Sequence, residues 1–315
     1  MRQPLVSILI PCHNAAQYVA SALESALAQT WPEKEIIVVD DGSTDGSGEI
    51  LESFQDRGVK VVDERCGNAA AARNRAFRES TGKYLKFFDA DDLMEPHTIQ
   101  LQMERLDSNS SAVASCEWGR FYGDDLSTFK LNPESVWRDM APLDWLVESW
   151  MDARPMMQPG LYLIPRPILE QAGLWNDKLS LIDDFEFFAR ILCKASEVRF
   201  ASGARLYYRS GINGSLSAQK SRRAVESAFR SLSDGTDHLL ARRKDENARR
   251  ACANVLQDFI YTYYPDHPDL RREMAARIAE LGGSDLLPSG PPGFQSLRRF
   301  SGWKLARRIQ RWAGR

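Results

Sequence analysis

Over its first hundred or so residues this chain alternates between two hydrophobic periods, and few folds accommodate that alternation. Val6 to Ile10, Glu35 to Asp40, Val59 to Val62 and Tyr84 to Phe88 are brief β-branched or aromatic runs bounded by turn residues, the pattern of buried strands. Between them, Ala15 to Gln29 carries apolar residues at helical spacing, Gly48 to Phe54 follows the candidate N-cap Asp45, and Ala69 to Arg78 follows Asn68. The order βαβαβαβ predicts an α/β fold with a mixed, mostly parallel central sheet. In such folds helices cover both faces of the sheet and ligands sit outside the carboxyl ends of the strands.

Composition narrows the class of molecule. A chain of 315 residues that is 43% hydrophobic has enough material for a sizeable core. It contains no apolar run near the roughly 18 to 20 residues of a membrane span, and the apolar opening Leu5 to Ile10 is halted by Pro11. Five cysteines, odd in number, scattered and never in a Cys-x-x-Cys spacing, suggest neither a disulfide framework nor a zinc site and suit a reducing cytoplasm. A formal net charge of −2 argues against nucleic acid as a partner.

The functional question is what stands at the strand ends. After the first strand comes Pro11-Cys-His-Asn14, after the second Asp40-Asp-Gly-Ser-Thr-Asp45, and after the fourth Asp89-Ala-Asp-Asp92. The second turn lacks both G-x-x-x-x-G-K-[ST] and G-x-G-x-x-G, and it carries acids where a phosphate cradle needs amides and a lysine. Acids there suit a ribose or a base edge. Asp89 and Asp91 offer hard oxygen ligands, fit for Mg²⁺ or Mn²⁺ bridging a diphosphate, and Arg73 suits a phosphate oxygen or a carboxylate. Each element also has a plainer reading: Asp-Asp-Gly-Ser as turn chemistry, Asp89 to Asp92 as the cap of a helix beginning near Glu95-Pro96, His13 as a turn residue. Their coincidence at consecutive strand ends points to a site.

Val6-Ser-Ile-Leu-Ile-Pro-Cys-His-Asn14, Val38-Val-Asp-Asp-Gly-Ser-Thr-Asp45, Ala72-Arg-Asn74 and Phe88-Asp-Ala-Asp-Asp92 resemble, in order and spacing, the family 2 glycosyltransferases of the Rossmann-like GT-A fold. The resemblance covers roughly residues 4 to 215 and implies a nucleotide-sugar donor, with UDP-sugars the first guess. It implies that Pro11, Asn14 and Asp40 line the nucleoside pocket with Asp41 near them. Arg73 would approach the base or diphosphate, and Asp89, Ala90 and Asp91 would serve the ribose, diphosphate and metal, Asp91 being the direct metal ligand. Further on, Gly173-Leu-Trp-Asn-Asp-Lys-Leu179 and Ile182-Asp-Asp-Phe-Glu-Phe-Phe-Ala-Arg190 resemble the acceptor-side block, whose second acid, here Asp184, is the catalytic base. Asp92, Asp183 and Arg190 would support these residues from behind. Phe185, Phe188 and Leu192 fall on one helical face. In the first turn, the helix dipole favours an ionised Asp184 while Asp183 opposes it.

Two departures stand out. Asn68 occupies a position where the family usually has glycine. Ser210 and Gly211 follow Tyr207-Tyr-Arg209 where a histidine is often found, so the metal would rest on one or two aspartates, the diphosphate and water. The expected reaction is inverting, metal-dependent transfer to a glycan or lipid-linked glycan, in polysaccharide biosynthesis of the cell envelope. A non-catalytic GT-A-fold scaffold and a sugar nucleotidyltransferase are the alternatives. Trp118, Trp145, Trp150 and Trp175 read as core or interface residues more readily than as sugar-stacking platforms.

The chain divides, on this reading, into a catalytic domain 1–215, with a nucleotide-binding half to about 110 and an acceptor half 111–215, then a helical region 216–285 and a terminal segment 286–315. Ala224, Ala228 and Leu232 share one helical face; Val255, Phe259 and Thr262 share another; Pro265 and Pro268 punctuate. The terminal segment is a Pro/Gly linker followed by a basic amphipathic helix. Beyond Asp285 no acid occurs, while Arg298, Arg299, Lys304, Arg307, Arg308, Arg311 and Arg315 do. Residues 294–315 read either as a helix in the interface of an anionic membrane or as one docked on its own protein. The first places the protein in the cytoplasm, peripheral at the inner face of the plasma membrane.

Overall fold

The computed structural model describes residues 3–106, 111–212 and 220–313. Asn213, Gly214 and Ser215 of the Tyr-Arg segment, the start of the expected helical region through residue 219, and Arg315 lie outside the described residues. The chain opens as β1 (Val6–Cys12), α1 (Val19–Leu27), β2 (Lys34–Asp40), α2 (Ser47–Glu52), β3 (Val59–Asp63), α3 (Ala69–Glu79) and β4 (Tyr84–Phe87). It continues through β5 (Leu93–Met94), α4 (Thr98–Arg105), β6 (Val113–Tyr122), β7 (Asp125–Leu131), α5 (Pro142–Met151), β8 (Ile164–Pro165), α6 (Arg166–Ala172), α7 (Asp183–Leu192) and β9 (Val198–Ser210). Five helices complete it: α8 (Arg222–Arg242), α9 (Glu246–Tyr263), α10 (Pro268–Glu280), α11 (Pro292–Ser301) and α12 (Trp303–Ala313).

The first sheet has the order β3-β2-β1-β4-β8. Its first four strands are parallel, with Cys12 opposite Asp40 and Asp40 opposite Asp63, and β8 pairs antiparallel with β4. Val6, Ile8, Leu9 and Ile10 of β1 are fully buried on both faces, which is why the strand reads as an unbroken apolar run rather than an alternating one. A second sheet, β5-β9-β6-β7, lies beyond it, with β6 and β9 parallel.

Several boundaries differ from the sequence reading, each for a local reason. α1 begins at Val19 because the Ala15 N–H is taken by Ser47 Oγ at 2.9 Å and residues 15–18 form a turn. Asp45 does not cap α2. That position falls to Gly46, at φ 93°, while the Asp45 carboxylate holds the Ser47 amide and hydroxyl at 3.0 and 2.6 Å. Asn68 does cap α3, accepting the Ala71 N–H at 2.9 Å. No helix follows Asp92 directly; Leu93 and Met94 pair with β9 before α4 starts at Thr98. The terminal segment is two helices, broken at Gly302 with φ 75°.

The four tryptophans belong to the core, at 4%, 3%, 0% and 3% exposure for Trp118, Trp145, Trp150 and Trp175. Trp175 stacks on Phe187 with centroids 3.7 Å apart and meets Phe87 edge-on at 5.3 Å. This aromatic cluster fastens α7 to β4, bringing two acidic segments far apart in sequence to the same cleft.

Lys86 on β4 is fully buried, and its ammonium donates to Gln102 Oε1 at 2.8 Å. Burial pulls its pKa down to about 8. Between about 8 and the ordinary lysine value the unfolded chain binds more protons than the folded one, so stability rises with pH across that window and the cost is fully present below it. Lys86→Met keeps the bulk and removes the charge. We expect it to raise the unfolding free energy by about 1–2 kcal/mol at neutral pH, after the lost bond to Gln102 is deducted. Most of the gain should vanish near pH ~10. Denaturant unfolding at both pH values checks this, and an equal effect at both would exclude the charge as its origin.

Candidate functional site

At the carboxyl ends of β1, β2 and β4 opens a cleft of about 1110 Å³, whose far wall comes from α7, α8 and α9. A site for one small ligand holds roughly 300–1,000 Å³, so the volume suits two reactants. Pro11, Asn14, Asp41, Arg73, Asp89, Ala90, Asp91, Asp183 and Asp184 all line it.

The β1 and β2 turns lock each other. Asn14, at φ 50°, donates its N–H to Ser43 Oγ at 2.9 Å and accepts the Thr44 N–H on Oδ1 at 2.8 Å; asparagine is among the few residues at ease there. Asp41 Oδ1 accepts the Cys66 and Gly67 N–H groups at 2.5 and 2.7 Å, tying the turn to the loop before α3. Asp40 does not line the cleft. It is buried, with Oδ1 taken by the Ser43 amide and hydroxyl at 3.0 and 2.6 Å, so it shapes the turn.

The acidic centre is organised by one cation. Buried Arg73 projects from α3, lies over the Trp175 ring at 4.5 Å, and donates to Asp89 Oδ1 at 2.8 Å and to Asp183 Oδ2 at 2.9 Å. Gln158 bridges Asp89 and Asp92 at 3.2 and 2.6 Å. Asp92 is fully buried and also accepts the Arg209 N–H at 2.8 Å. The Arg209 guanidinium, sandwiched between Tyr18 and Phe121, donates to the Asp91 carbonyl at 2.6 Å. Asp92 is therefore the buried anchor of the loop. Gln158 carried no local sequence signal, its partner Asp92 lying 66 positions away, and the Tyr207-Tyr-Arg209 segment gave no sign that Arg209 would reach Asp92, 117 positions away.

Asp91 differs from its neighbours: among the described residues no side chain or distant amide donates to its carboxylate. Burial, then the adjacent Asp89 charge, pushes its pKa up to about 6. A divalent cation would relieve both influences. Among the described residues no group of three or more histidine, cysteine or acidic side chains is assembled to hold a metal. Asp89 has one oxygen on Arg73 and the other on Gln158. The donor set thus fits an Mg²⁺ or Mn²⁺ ion held by Asp91, with remaining ligands from a bound diphosphate and water.

Asp183 and Asp184 open α7 after Ile182, which sits at φ 59°, a left-handed conformation costly for a β-branched residue. Helix α8 holds the strained turn: Ser227 Oγ accepts the Ser180 and Leu181 N–H groups at 2.8 and 2.9 Å, and Ser231 Oγ donates to the Ile182 carbonyl. Sequence reasoning missed these serines. Burial raises the Asp183 pKa while Arg73 pulls it down. Among the described residues Asp184 has no such cation bonded to it; burial first and then the Asp183 charge push it up to about 7. Arg190 lies outside the cleft, donating to Glu186 and to the carbonyls of Ala172, Gly173 and Leu174, so it braces the loop leading to Trp175.

The family model described as Glycosyl transferase family 2 matches residues 7–162. GlyG, a glycosyltransferase of Streptococcus pneumoniae serotype 4, is 29% identical over 219 residues, which span 65% of this chain and 70% of GlyG. Of four further curated relatives the chain spans between 57% and 62% of the length. Among solved structures, S. aureus TarS 1-349 in complex with UDP-GlcNAc is similar with a TM-score of 0.70 at 16% identity, covering 98% of this chain and 92% of that one. The mannosyltransferase PcManGT of Pyrobaculum calidifontis, in complex with GDP-Man and Mn²⁺, gives 0.59 at 17% identity, with coverage of 99% and 84%. At these identities the likeness is one of fold: the chain has the α/β GT-A architecture with additional C-terminal helices.

Arg73→Met would leave Asp89 and Asp183 facing each other without a cation. Removing one partner of a buried ion pair costs about 3–5 kcal/mol, and we expect a loss of that size in urea unfolding at neutral pH. A loss under about 1 kcal/mol, the scale of surface pairs, would show that the aromatic cluster alone holds the two segments together.

Proposed function

Since the chain belongs to glycosyl transferase family 2 and is a glycosyltransferase, we propose that it moves a sugar from a nucleoside diphosphate sugar, with UDP as the nucleotide, to a hydroxyl of a glycan or lipid-linked glycan. The observation that carries this reading is a single cleft lined both by the strand-end residues Asn14, Asp41, Arg73 and Asp91 and by the acidic pair Asp183 and Asp184. Donor chemistry belongs on the first set and acceptor chemistry on the second. The five free cysteines, four of them buried, suit a reducing compartment such as the cytoplasm. Among the described residues no helix is long and apolar enough to cross a membrane.

The contacts support a role for each residue. Pro11, Asn14 and Asp41 form the wall for the nucleoside, with Asp40 fixing the turn behind them. Asp91 is the attachment point for Mg²⁺ or Mn²⁺, which, when bound, would offset charge on the leaving diphosphate. The UDP-GlcNAc in TarS and the Mn²⁺ with GDP-Man in PcManGT favour such a donor and such an ion here. Arg73, committed to Asp89 and Asp183, holds the acids in register and adds positive potential beside the diphosphate.

Asp184 is the general base. It faces the cleft, among the described residues no basic side chain is bonded to it, and its pKa of about 7 lets it take a proton near neutrality. As the acceptor oxygen attacks the anomeric carbon, its proton passes to the Asp184 carboxylate. The carbon–oxygen bond to the diphosphate breaks on the opposite face, and the nucleoside diphosphate departs with inversion. Screening nucleotide sugars for metal-dependent thermal stabilisation identifies the donor, because a ligand of the folded state raises its apparent stability. Release of nucleoside diphosphate supports transfer, whereas pyrophosphate from a nucleoside triphosphate and a sugar phosphate would establish nucleotidyl transfer instead.

Two substitutions and a pH profile test these roles separately. Asp184→Asn, nearly isosteric, should lower kcat by roughly 100-fold or more while donor affinity stays near normal. In the parent enzyme, kcat should rise with pH and level off above an apparent pKa near 7, since only the deprotonated carboxylate accepts the proton. A variant with the parent's rate would move the base elsewhere. Asp91→Asn should weaken donor binding by roughly 10-fold or more in the presence of Mn²⁺ and abolish the metal dependence of that binding. Parent-like donor affinity in excess chelator would remove the ion from the reading.

A further inference from the structure

Helix α12 meets the rest of the protein through one narrow face. Ala306 is fully buried, Trp303 packs edge-on against Tyr261 and Tyr264 with centroids 4.8 and 4.9 Å apart, and Arg307 lies over Phe294 at 4.5 Å. Leu305, Ile309 and Trp312 point the other way, at 49%, 40% and 82% exposure, and Phe300 of α11 is 91% exposed. With Leu287 these make five of the nine large hydrophobic side chains exposed among the described residues, so the apolar surface is concentrated in this segment. The helix is both docked and amphipathic: one stripe is used and a second is left in solvent.

The charges beside that stripe decide what covers it. Lys304 and Arg308 are exposed on its flank, and Arg298 and Arg299 close the preceding helix, while Arg311 is spent on Asp266. The segment after Asp285 carries seven basic residues and no acid in a chain of net charge −2, so the remainder of the chain is net acidic. A second copy meeting this patch about a two-fold axis would bring the same positive charges face to face. An anionic lipid surface accepts both parts, with the hydrocarbon boundary taking Phe300, Leu305, Ile309 and Trp312 and the headgroups taking the cations.

We propose that α11 and α12 form a lipid-docking surface that holds the protein on anionic membranes. The inference goes beyond the transfer reaction and does not need the donor assignment. Its position matters for the acceptor: α9 carries Tyr261 beneath Trp303, and the same helix places Asp258, Thr262 and Tyr263 on the cleft wall. The docked face is thus one helix from the cleft.

The 315-residue chain should sediment with phosphatidylcholine vesicles containing phosphatidylglycerol at low salt, sediment little with phosphatidylcholine alone, and detach as salt rises. The triple variant Leu305→Ser, Ile309→Ser, Trp312→Ser and the double variant Lys304→Glu, Arg308→Glu should each bind such vesicles on the order of 10-fold more weakly. Both alter solvent-facing residues, so parent-like thermal unfolding should confirm that the fold is kept. Vesicle binding by the triple variant equal to that of the parent would overturn the proposal. So would a concentration-dependent dimer lost in the triple variant while the parent fails to bind vesicles. Nucleotide-sugar stabilisation of the same samples reads the donor site independently, so failure of one reading is distinguishable from failure of the other.

Discussion

The organisation of the cleft depends on one buried guanidinium. Arg73 comes from a helix that packs on β1 and β2, yet its two carboxylate partners belong to the end of β4 and to the start of α7. Without a cation, bringing Asp89, Asp91, Asp183 and Asp184 into one half-buried cleft would be opposed by like-charge repulsion and by desolvation. With it, Asp89 and Asp183 share one compensating charge, while among the described residues no basic side chain is bonded to the carboxylates of Asp91 and Asp184. Trp175 beneath the guanidinium and Phe187 beneath Trp175 carry the alignment into the core, so an electrostatic register is enforced by packing.

That division of labour explains why two adjacent acids at one helix N-terminus differ. Asp183 and Asp184 share burial, the helix dipole and each other's charge, but only Asp183 is held by Arg73. A carboxylate bonded to guanidinium is a poor proton acceptor because its ionised form is stabilised. Asp184, buried and with its own neighbour as an opposing charge, has its ionised form disfavoured instead. The strained Ile182 backbone fixes which acid faces which way. That strain is supported from α8 by Ser227 and Ser231, residues of a helix outside the stretch matched by the family model. The C-terminal helices therefore help set the geometry of the acidic pair.

The parallel βαβ half was legible in the sequence because its signals are local. Continuous apolar runs, turn residues and the Asn68 cap each act within a few positions, and the acids stand where strands end. Which of the candidate residues share one cleft was legible to a similar depth. Asn14, Asp41, Arg73, Asp89, Asp91 and Asp184 come together on the cleft, whereas Asp40 turned out to face its own turn. What escaped was long-range. Gln158 reads as an ordinary polar residue before Pro159 and Gly160, and only the fold brings it between Asp89 and Asp92. The second sheet was equally hidden, since β5 is two residues long and β6 finds its parallel partner β9 more than eighty positions later. Boundary errors came from competition among hydrogen bonds, as when Asp45 satisfied Ser47 and left the start of α2 to a glycine.

The terminal helices show a different limit of sequence reasoning. Periodicity revealed that the segment was amphipathic but not that it has three faces: a stripe centred on Ala306 committed to α9 and its neighbours, an apolar stripe in solvent, and a basic flank. A helix with one apolar face must choose between its own core and an external surface. Here the choice is avoided because small Ala306 and the amphipathic Trp303 and Arg307 suffice for docking, as stems and rings of polar-tipped residues can cover apolar surface. The larger apolar side chains are then left over. Gly302 makes this possible: its positive φ turns α12 away from the line of α11 and seats Trp303 against Tyr261 and Tyr264. The same seating presents Phe300 at the end of one helix and Leu305 early in the next, on either side of the break. Since α9 runs from that seat to the cleft wall, a surface that engages the exposed stripe is held at a fixed distance from Asp258 and Tyr263, and through α8 from the acidic pair.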